Sequence, residues 1–521
     1  MLRRNPFESP PGHRPPAPVP TAIELLLVVA LGGLHSLCFL APWGWAAQMM
    51  LVALLAWRLR GAAPGRGGAI GLFFGTAWFA CGTWWLYISM HHYGGLPAWL
   101  TVLAIVLLSA FLALYLALTC AVFARWRSGC GGRDALLFAS LWLLAELARG
   151  VIFTGFPWIA SGYAHVDGPL AALAPWIGVY GIGFVATAFA AWPVFGWRGR
   201  SRIVPWVALA GVLALAAFVG PGRFTEPSGV ISVALLQGNV AQDEKFAAEL
   251  MPQALAWTRE QLTAAKADLV LGPETVIPML PDQLEPDDWN ALLKHFRQPG
   301  RSALIGLPLG NETEGYTNSA AGISAETATL PGGFYRYDKH HLVPFGEFIP
   351  PGFRWFTELM HIPLGDFNRG PLSAPSFAVG RERVAPNICY EDLFGEDLAA
   401  RFADKAMAPT MFANISNIGW FGDTIAVEQH LQISRMRTLE FQRPMLRATN
   451  TGATVIIDDR GRVTHRLPPF TRGVLQGEVQ GRNGLTPFAI WASRFGALPL
   501  ALGAALLAAA MARRGRRSVP S

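Results

Sequence analysis

The sequence predicts two structural classes in one chain: a polytopic α-helical membrane domain of about eight spans and a large polar α/β domain on the outer side of the bilayer. Three observations carry that expectation. Only 15% of the 521 residues are charged and 52% are hydrophobic, whereas water-soluble chains carry roughly a quarter charged residues. Apolar runs of membrane-crossing length recur through the first 220 residues and once more near the end. The polar stretch between them, 221–484, alternates strand-like and helix-like patterns and is long enough to bury its own core. The net charge of +7 does not indicate nucleic acid, because the arginines sit in short clusters between apolar runs and form no single patch.

Taken in order, residues 1–20 are Pro-rich and basic and read as a disordered cytoplasmic tail. Apolar runs at 22–41, 44–59, 69–90, 97–124, 135–153, 170–196 and 203–220 predict a bundle of about seven spans over 21–220. The run at 485–512 predicts one more span, and 513–521 a basic cytoplasmic tail. Arg58, Arg60 and Arg66 follow the second run and Arg125, Arg127 and Arg133 the fourth. Arg198, Arg200 and Arg202 follow the sixth, and Arg513, Arg514, Arg516 and Arg517 the last. Loops such as 91–95 hold almost no basic residues, so the positive-inside rule places both termini in the cytoplasm and 221–484 outside. Within the fifth run, Glu146 and Arg149 stand one helical turn apart and are expected to pair. They precede Thr154-Gly155-Phe156-Pro157-Trp158, an aromatic, turn-rich stretch suited to the membrane interface.

In the polar segment, strands are expected at 230–237, 268–271, 302–307, 317–323, 333–337, 383–388, 406–413 and 453–458. Helices are expected at 246–267, 287–296 and 424–441, and no internal repeat is visible. Three strand ends carry chemistry: Gly272-Pro273-Glu274-Thr275, the stretch 337–347 with Lys339 and Glu347, and Asn387-Ile388-Cys389-Tyr390-Glu391. The carboxyl ends of strands are where α/β sites collect. A thiol needs a base, which Glu274 supplies, and a tetrahedral intermediate needs a cationic donor, which Lys339 supplies. Cys389 reads as a strand-to-helix junction, with Phe394, Leu398 and Phe402 on one helix face and free N–H groups favouring the thiolate. The five cysteines show neither metal spacing nor a disulfide framework. His340 and His341 lack a third ligand, so neither a metal nor a cofactor is predicted.

On the Glu274, Lys339 and Cys389 motifs the polar segment resembles the nitrilase superfamily, which implies an α-β-β-α sandwich. With the membrane frame added, nearly the whole chain resembles the apolipoprotein N-acyltransferase family. The elements that carry this are 154–158, Gln237-Gly238-Asn239, 272–275, 339–350, 387–391, Asn414-Ile415-Ser416-Asn417 and Trp420-Phe421-Gly422. The resemblance implies Glu274 as general base, Lys339 as oxyanion stabiliser, Cys389 as the nucleophile that carries a thioester, and Glu347 as a supporting acid. Tyr390 and Glu391 would support the nucleophile, with Phe246, Asn414 and Trp420 as further supporting or substrate-binding positions. Phe246 stands where the family commonly has Trp, and Ile418 where it has an acid.

Phe345 and Phe348 belong to an apolar loop beyond Lys339 that is expected to dip toward the membrane or cover an acyl tail, with core packing as the plain alternative. The implied reaction is ping-pong. An acyl chain leaves a membrane phospholipid, typically phosphatidylethanolamine, and reaches the α-amine of an N-terminal diacylglyceryl-cysteine on an apolipoprotein. The implied location is the bacterial inner membrane with the catalytic domain on the periplasmic face. Anchoring at both ends suits such substrates, since drawing a chain out of the bilayer costs ~0.8 kcal/mol per CH₂. One alternative is a membrane-tethered amidase with the same triad and water as acceptor. Another is a transporter or sensor, which calls for ionisable residues at the bilayer midplane or broken helices in matched halves; neither is evident in the sequence.

Overall fold

The computed structural model describes residues 20–196, 204–219, 224–245, 247, 249–350, 352 and 366–516. Residues 1–19 of the expected tail 1–20, the arginines at 198, 200, 202 and 517, and Phe246 lie outside the described residues.

The N-terminal half is helical: α1 (Ala22–Leu37), α2 (Gly44–Leu59), α3 (Pro64–Gly82), α4 (Ala98–Trp126), α5 (Gly131–Val151), α6 (Ala174–Phe195) and α7 (Val204–Val219). Among the described residues, three helical stretches, 98–126, 131–154 and 169–195, are long and apolar enough to cross a membrane. At 16 residues each, α1 and α2 are about 24 Å long, short of a ~30 Å hydrocarbon core. Leu103, Leu107, Leu114 and Leu118 of α4 are exposed, as a lipid-facing helix requires. Gly71 and Gly75 let α3 approach α4: an added methyl would lie 2.7 Å from the Leu116 carbonyl or 2.8 Å from Ala113 Cβ.

The polar segment comprises β1 (Thr225–Gln237), α8 (Met251–Ala264), β2 (Leu269–Leu271), α9 (Pro286–Phe296), β3 (Ser302–Asn311), β4 (Gly315–Ile323), β5 (Tyr335–Asp338) and β6 (Phe377–Val379). It continues with β7 (Glu382–Ile388), α10 (Gly395–Ala399), β8 (Met411–Ser416), α11 (Ala426–Phe441), β9 (Met445–Thr449), β10 (Val455–Ile457), β11 (Val463–Arg466) and β12 (Gly473–Gly484). The strands form two six-stranded sheets, ordered β12-β1-β2-β3-β4-β5 and β6-β7-β8-β9-β10-β11. Read in those directions, both sheets pair antiparallel, parallel, parallel, antiparallel, antiparallel. The topology therefore repeats although the sequence does not.

Alternation along each strand builds the layers. Val233, Leu235 and Leu271 of the first sheet meet Val384, Ile388 and Ile415 of the second in the centre. Ala234, Leu236 and Val270 point the other way, under Leu262 of α8 and Trp289 and Phe296 of α9. The outer face of the second sheet, including Ala385, Phe412 and Met445, packs under Met436 and Phe441 of α11. That cluster runs without a break into the membrane bundle through Trp158, Tyr163 and Tyr180. The sandwich has the expected α-β-β-α order, with one helical layer shared with the bundle.

Several expectations change. The run 485–512 is two helices, α12 (Pro487–Phe495) and α13 (Leu498–Arg516), bent by 90°. The break falls at Gly496, whose φ of 54° suits glycine. Phe488 of α12 is buried against Phe441, with ring centroids 5.3 Å apart. The expected helix 246–267 is trimmed to α8, which starts at Met251-Pro252 because proline is favoured in a first helical turn. The strand expected at 406–413 starts only after Pro409, at Met411. Glu146 and Arg149 do not spend themselves on each other. Glu146 Oε1 accepts from Ser161 N (2.7 Å) and Oγ (2.8 Å), and Arg149 donates to the carbonyls of Phe156 (2.5 Å) and Trp158 (2.9 Å). Left-handed backbone at Phe153, Thr154 and Gly155 folds the loop back onto the helix end, which brings these partners within reach.

Candidate active site

Three strand ends converge. Glu274 follows β2, Lys339 follows β5 and Cys389 follows β7. Lys339 is fully buried, and Glu274 and Glu347 are nearly so. Lys339 Nζ lies 2.8 Å from Glu347 Oε1 and 3.5 Å from Glu274 Oε1. Asn318 of β4 donates to both carboxylates, at 2.7 Å to Glu274 and 2.6 Å to Glu347. The second Glu274 oxygen accepts from Asn417 N at 2.7 Å. Burial works against the Lys339 ammonium, but Glu347 first and then Glu274 hold its pKa above the usual lysine range.

Cys389 sits on a turn with φ of 53°, a left-handed conformation that costs a non-glycine residue about 1–3 kcal/mol. A 3₁₀ turn, Cys389–Leu393, follows it, and the first α-helix, α10, starts only at Gly395. The expected helix-start stabilisation of a thiolate therefore has no helix to supply it. Burial and then the Glu274 carboxylate push the thiol up to about 12, with Lys339 pulling the other way. A shift in that direction favours the protonated thiol, so chemistry that used this sulfur as a nucleophile would need a base to take its proton.

Glu391 joins the lysine and cysteine loops. Its Oε1 accepts from His340 N (2.7 Å) and His341 N (3.2 Å), and its Oε2 from Ile388 N (2.6 Å) and Tyr337 Oη (2.7 Å). Tyr390 donates to the Gly155 carbonyl of the membrane domain at 2.9 Å. Asn414 donates to Asn387 Oδ1 (2.6 Å) and to the Cys389 carbonyl (3.2 Å). Glu347 also closes its own loop, accepting from Val343 N at 2.8 Å. Phe345 and Phe348 are both half-buried. The Arg369 guanidinium covers the Phe348 ring at 5.2 Å. Trp420 faces Tyr93, ring centroids 5.5 Å apart. His340 contacts the Gly370 carbonyl, and His341 contacts Asp397 and the Thr154 carbonyl, so both rings serve the loop architecture.

Sequence reasoning missed several groups. Asn318 is one, although polar residues inside the strand Thr317-Asn318-Ser319 were a usable signal. A buried network behind Cys389 is another: His430 Nε2 contacts the Cys389 carbonyl (3.2 Å) and Asp392 (2.8 Å), and Asp392 also meets Arg447 at 3.4 Å. Lys245 is the third. It lines a cleft together with Glu274, Met251, Val276 and Asn450.

Comparison with known proteins bears on both halves. Residues 31–192 match the apolipoprotein N-acyltransferase N-terminal domain, and residues 232–487 match the carbon-nitrogen hydrolase family. The apolipoprotein N-acyltransferase of Verminephrobacter eiseniae is 52% identical over 501 residues, covering 90% of this chain and 92% of its own. That of Ralstonia nicotianae is 47% identical, with 94% and 93% covered, and that of Pseudomonas putida is 39% identical, with 92% and 95% covered. At such identity and coverage, with both domains matched, the chain belongs to the apolipoprotein N-acyltransferase family.

Proposed function

We propose that this protein moves a fatty acyl chain from a membrane phospholipid, through a thioester on Cys389, to the α-amine of an N-terminal diacylglyceryl-cysteine on an apolipoprotein. The observation that carries the reading is the meeting of buried Glu274 and Lys339 with half-buried Cys389 in a domain whose core continues into an apolar helical bundle. In the first half-reaction Glu274 takes the thiol proton as sulfur attacks the ester carbonyl, and Lys339 stabilises the developing oxyanion. The tetrahedral intermediate collapses, the C–O bond breaks, and Glu274 returns the proton to the departing lysophospholipid. In the second half-reaction the acceptor amine attacks the thioester, Glu274 receives the amine proton, and that proton goes to the leaving sulfur.

Glu347 keeps Lys339 charged and aimed. Glu391 and Asn414 hold the strained cysteine turn, and Phe345 and Phe348 offer apolar surface on the loop that carries Glu347. Phosphatidylethanolamine is the expected donor. The inner membrane, with the catalytic domain on the periplasmic face and both termini in the cytoplasm, is the expected setting.

The test uses the full-length protein in detergent, chain-labelled phosphatidylethanolamine, and a diacylglyceryl-cysteine peptide added second. The reading expects about one equivalent of lysophospholipid before the peptide and label on the peptide amine after it. Steady release of free fatty acid at a rate indifferent to the peptide would instead indicate a hydrolase with water as acceptor.

A further inference from the structure

A second lysine stands at the site, and the reaction as written does not use it. Lys245 is 7% exposed, and its Nζ donates to the main-chain carbonyl of Glu274 at 3.1 Å. A buried ammonium is costly unless opposing charge and hydrogen bonds compensate it.

Its position is held from several sides. Asn239 N donates to the Asn450 carbonyl (2.8 Å), and Val240 N to Asn450 Oδ1 (3.0 Å). Asn450 donates to Asn417 Oδ1 (3.1 Å), Asn417 Nδ2 donates to Gln242 Oε1 (2.8 Å), and Asn417 N donates to Glu274 Oε2. Lys245 N then closes the turn on the Ala241 carbonyl at 3.0 Å. One hydrogen-bonded chain thus ties the 239–245 turn, the ends of β8 and β9, and the carboxylate of Glu274.

The charges around the sulfur explain why a cation belongs here. Two carboxylates, Glu274 and Glu347, face it with Lys339. Behind the turn, Arg447 is matched by Asp392, which also contacts His430. Glu391 is satisfied by three backbone N–H groups and Tyr337. With Lys339 alone, the carboxylates facing the sulfur outnumber the cations, and a thiolate beside them is opposed. With Lys245 counted, two ammoniums meet two carboxylates. The balance persists when the proton moves from sulfur to Glu274.

We propose that Lys245 is a positioning residue of the reaction: its ammonium fixes the Glu274 main chain and supplies the second positive charge against which Cys389 gives up its proton. The assignment rests on Cys389 being the nucleophile. Burial lowers Lys245 to about 8, with Glu274 and Cys389 opposing the drop, so its charge is lost as pH rises through that value. An arginine at the position stays charged throughout.

The experiment measures iodoacetamide alkylation of Cys389, read by peptide mass spectrometry, across pH 6 to 10 in full-length Lys245→Met, Lys245→Arg and unaltered protein. Lys245→Met is expected to alkylate about tenfold more slowly at pH 7, the consequence of one unit of thiol pKa. Lys245→Arg is expected to stay near the unaltered rate and to lose the inflection near pH 8. A Lys245→Met profile that matches the unaltered protein overturns the assignment, as does an inflection near pH 8 that survives in Lys245→Arg. If Lys245→Met does not fold, the Lys245→Arg profile decides alone. Failure of the underlying nucleophile reading would appear separately, as unaltered protein that forms no acyl adduct with phospholipid.

Discussion

The two outer faces of the sandwich are sealed in different ways. The sheet that carries Glu274 and Lys339 is covered by α8 and α9, which belong to the same domain. The sheet that carries Cys389 is covered by α11, and α11 is covered by the membrane bundle. Polar contacts follow the same division. Gln429 of α11 accepts from the indoles of Trp85 (3.0 Å) and Trp158 (2.8 Å) and donates to the Gly82 carbonyl (3.0 Å). Glu440 accepts from Val179 N at 2.7 Å, where the left-handed Gly178 interrupts α6. Tyr390, next to Cys389, reaches Gly155. The difference teaches that the bundle does more than tether the domain: it forms part of the wall behind Cys389, while Glu274 and Lys339 stand on a self-contained half.

Four substitutions break or sharpen that contrast. Glu391→Ala removes the link between the two halves and should have the largest effect. Losing charge-assisted bonds to both loops predicts a fall of about a hundredfold or more in acyl-adduct formation, read by radiolabel on the purified protein. Leu262→Ala hollows only the self-contained half and should lower unfolding stability by about 2–5 kcal/mol, while each folded molecule keeps its normal turnover. Gln429→Leu leaves the buried Trp158 indole N–H without an acceptor, at about 1–3 kcal/mol, while the Trp85 N–H keeps the Gly82 carbonyl at 3.1 Å. Unlike Leu262→Ala, it should slow Cys389 alkylation even in fully folded protein, and an unchanged rate would mean that the bundle contact does not reach Cys389. Phe348→Ser should have the smallest effect, a rise of about two- to fivefold in KM for phospholipid from lost apolar contact, with kcat unchanged.

The contrast also explains what was legible in the sequence. Glu274, Lys339 and Cys389 could be found because each follows a buried strand in a punctuated loop, and the alternating pattern gave the layers around them. The edge strands β6 and β11, three and four residues long, leave too short an alternation to recognise. Lys245 and Gln242 lie in a polar loop, where a buried charge and a solvated one look alike until the partner Glu274 is placed in space. The 90° bend at Gly496 was hidden inside a continuous apolar run. Thr486 and Pro487, a helix cap and first-turn proline, were the local sign that a separate helix begins there. The shared helical layer could not be read locally, since it depends on two regions of the chain more than 200 residues apart, as in the Trp158–Gln429 contact.

The most direct test of the central claim is intact-protein and peptide mass spectrometry after incubation with chain-labelled phospholipid. The account predicts a single hydroxylamine-sensitive acyl group on Cys389, absent from Cys389→Ala. Label on another residue, or an adduct that persists in Cys389→Ala, would contradict it.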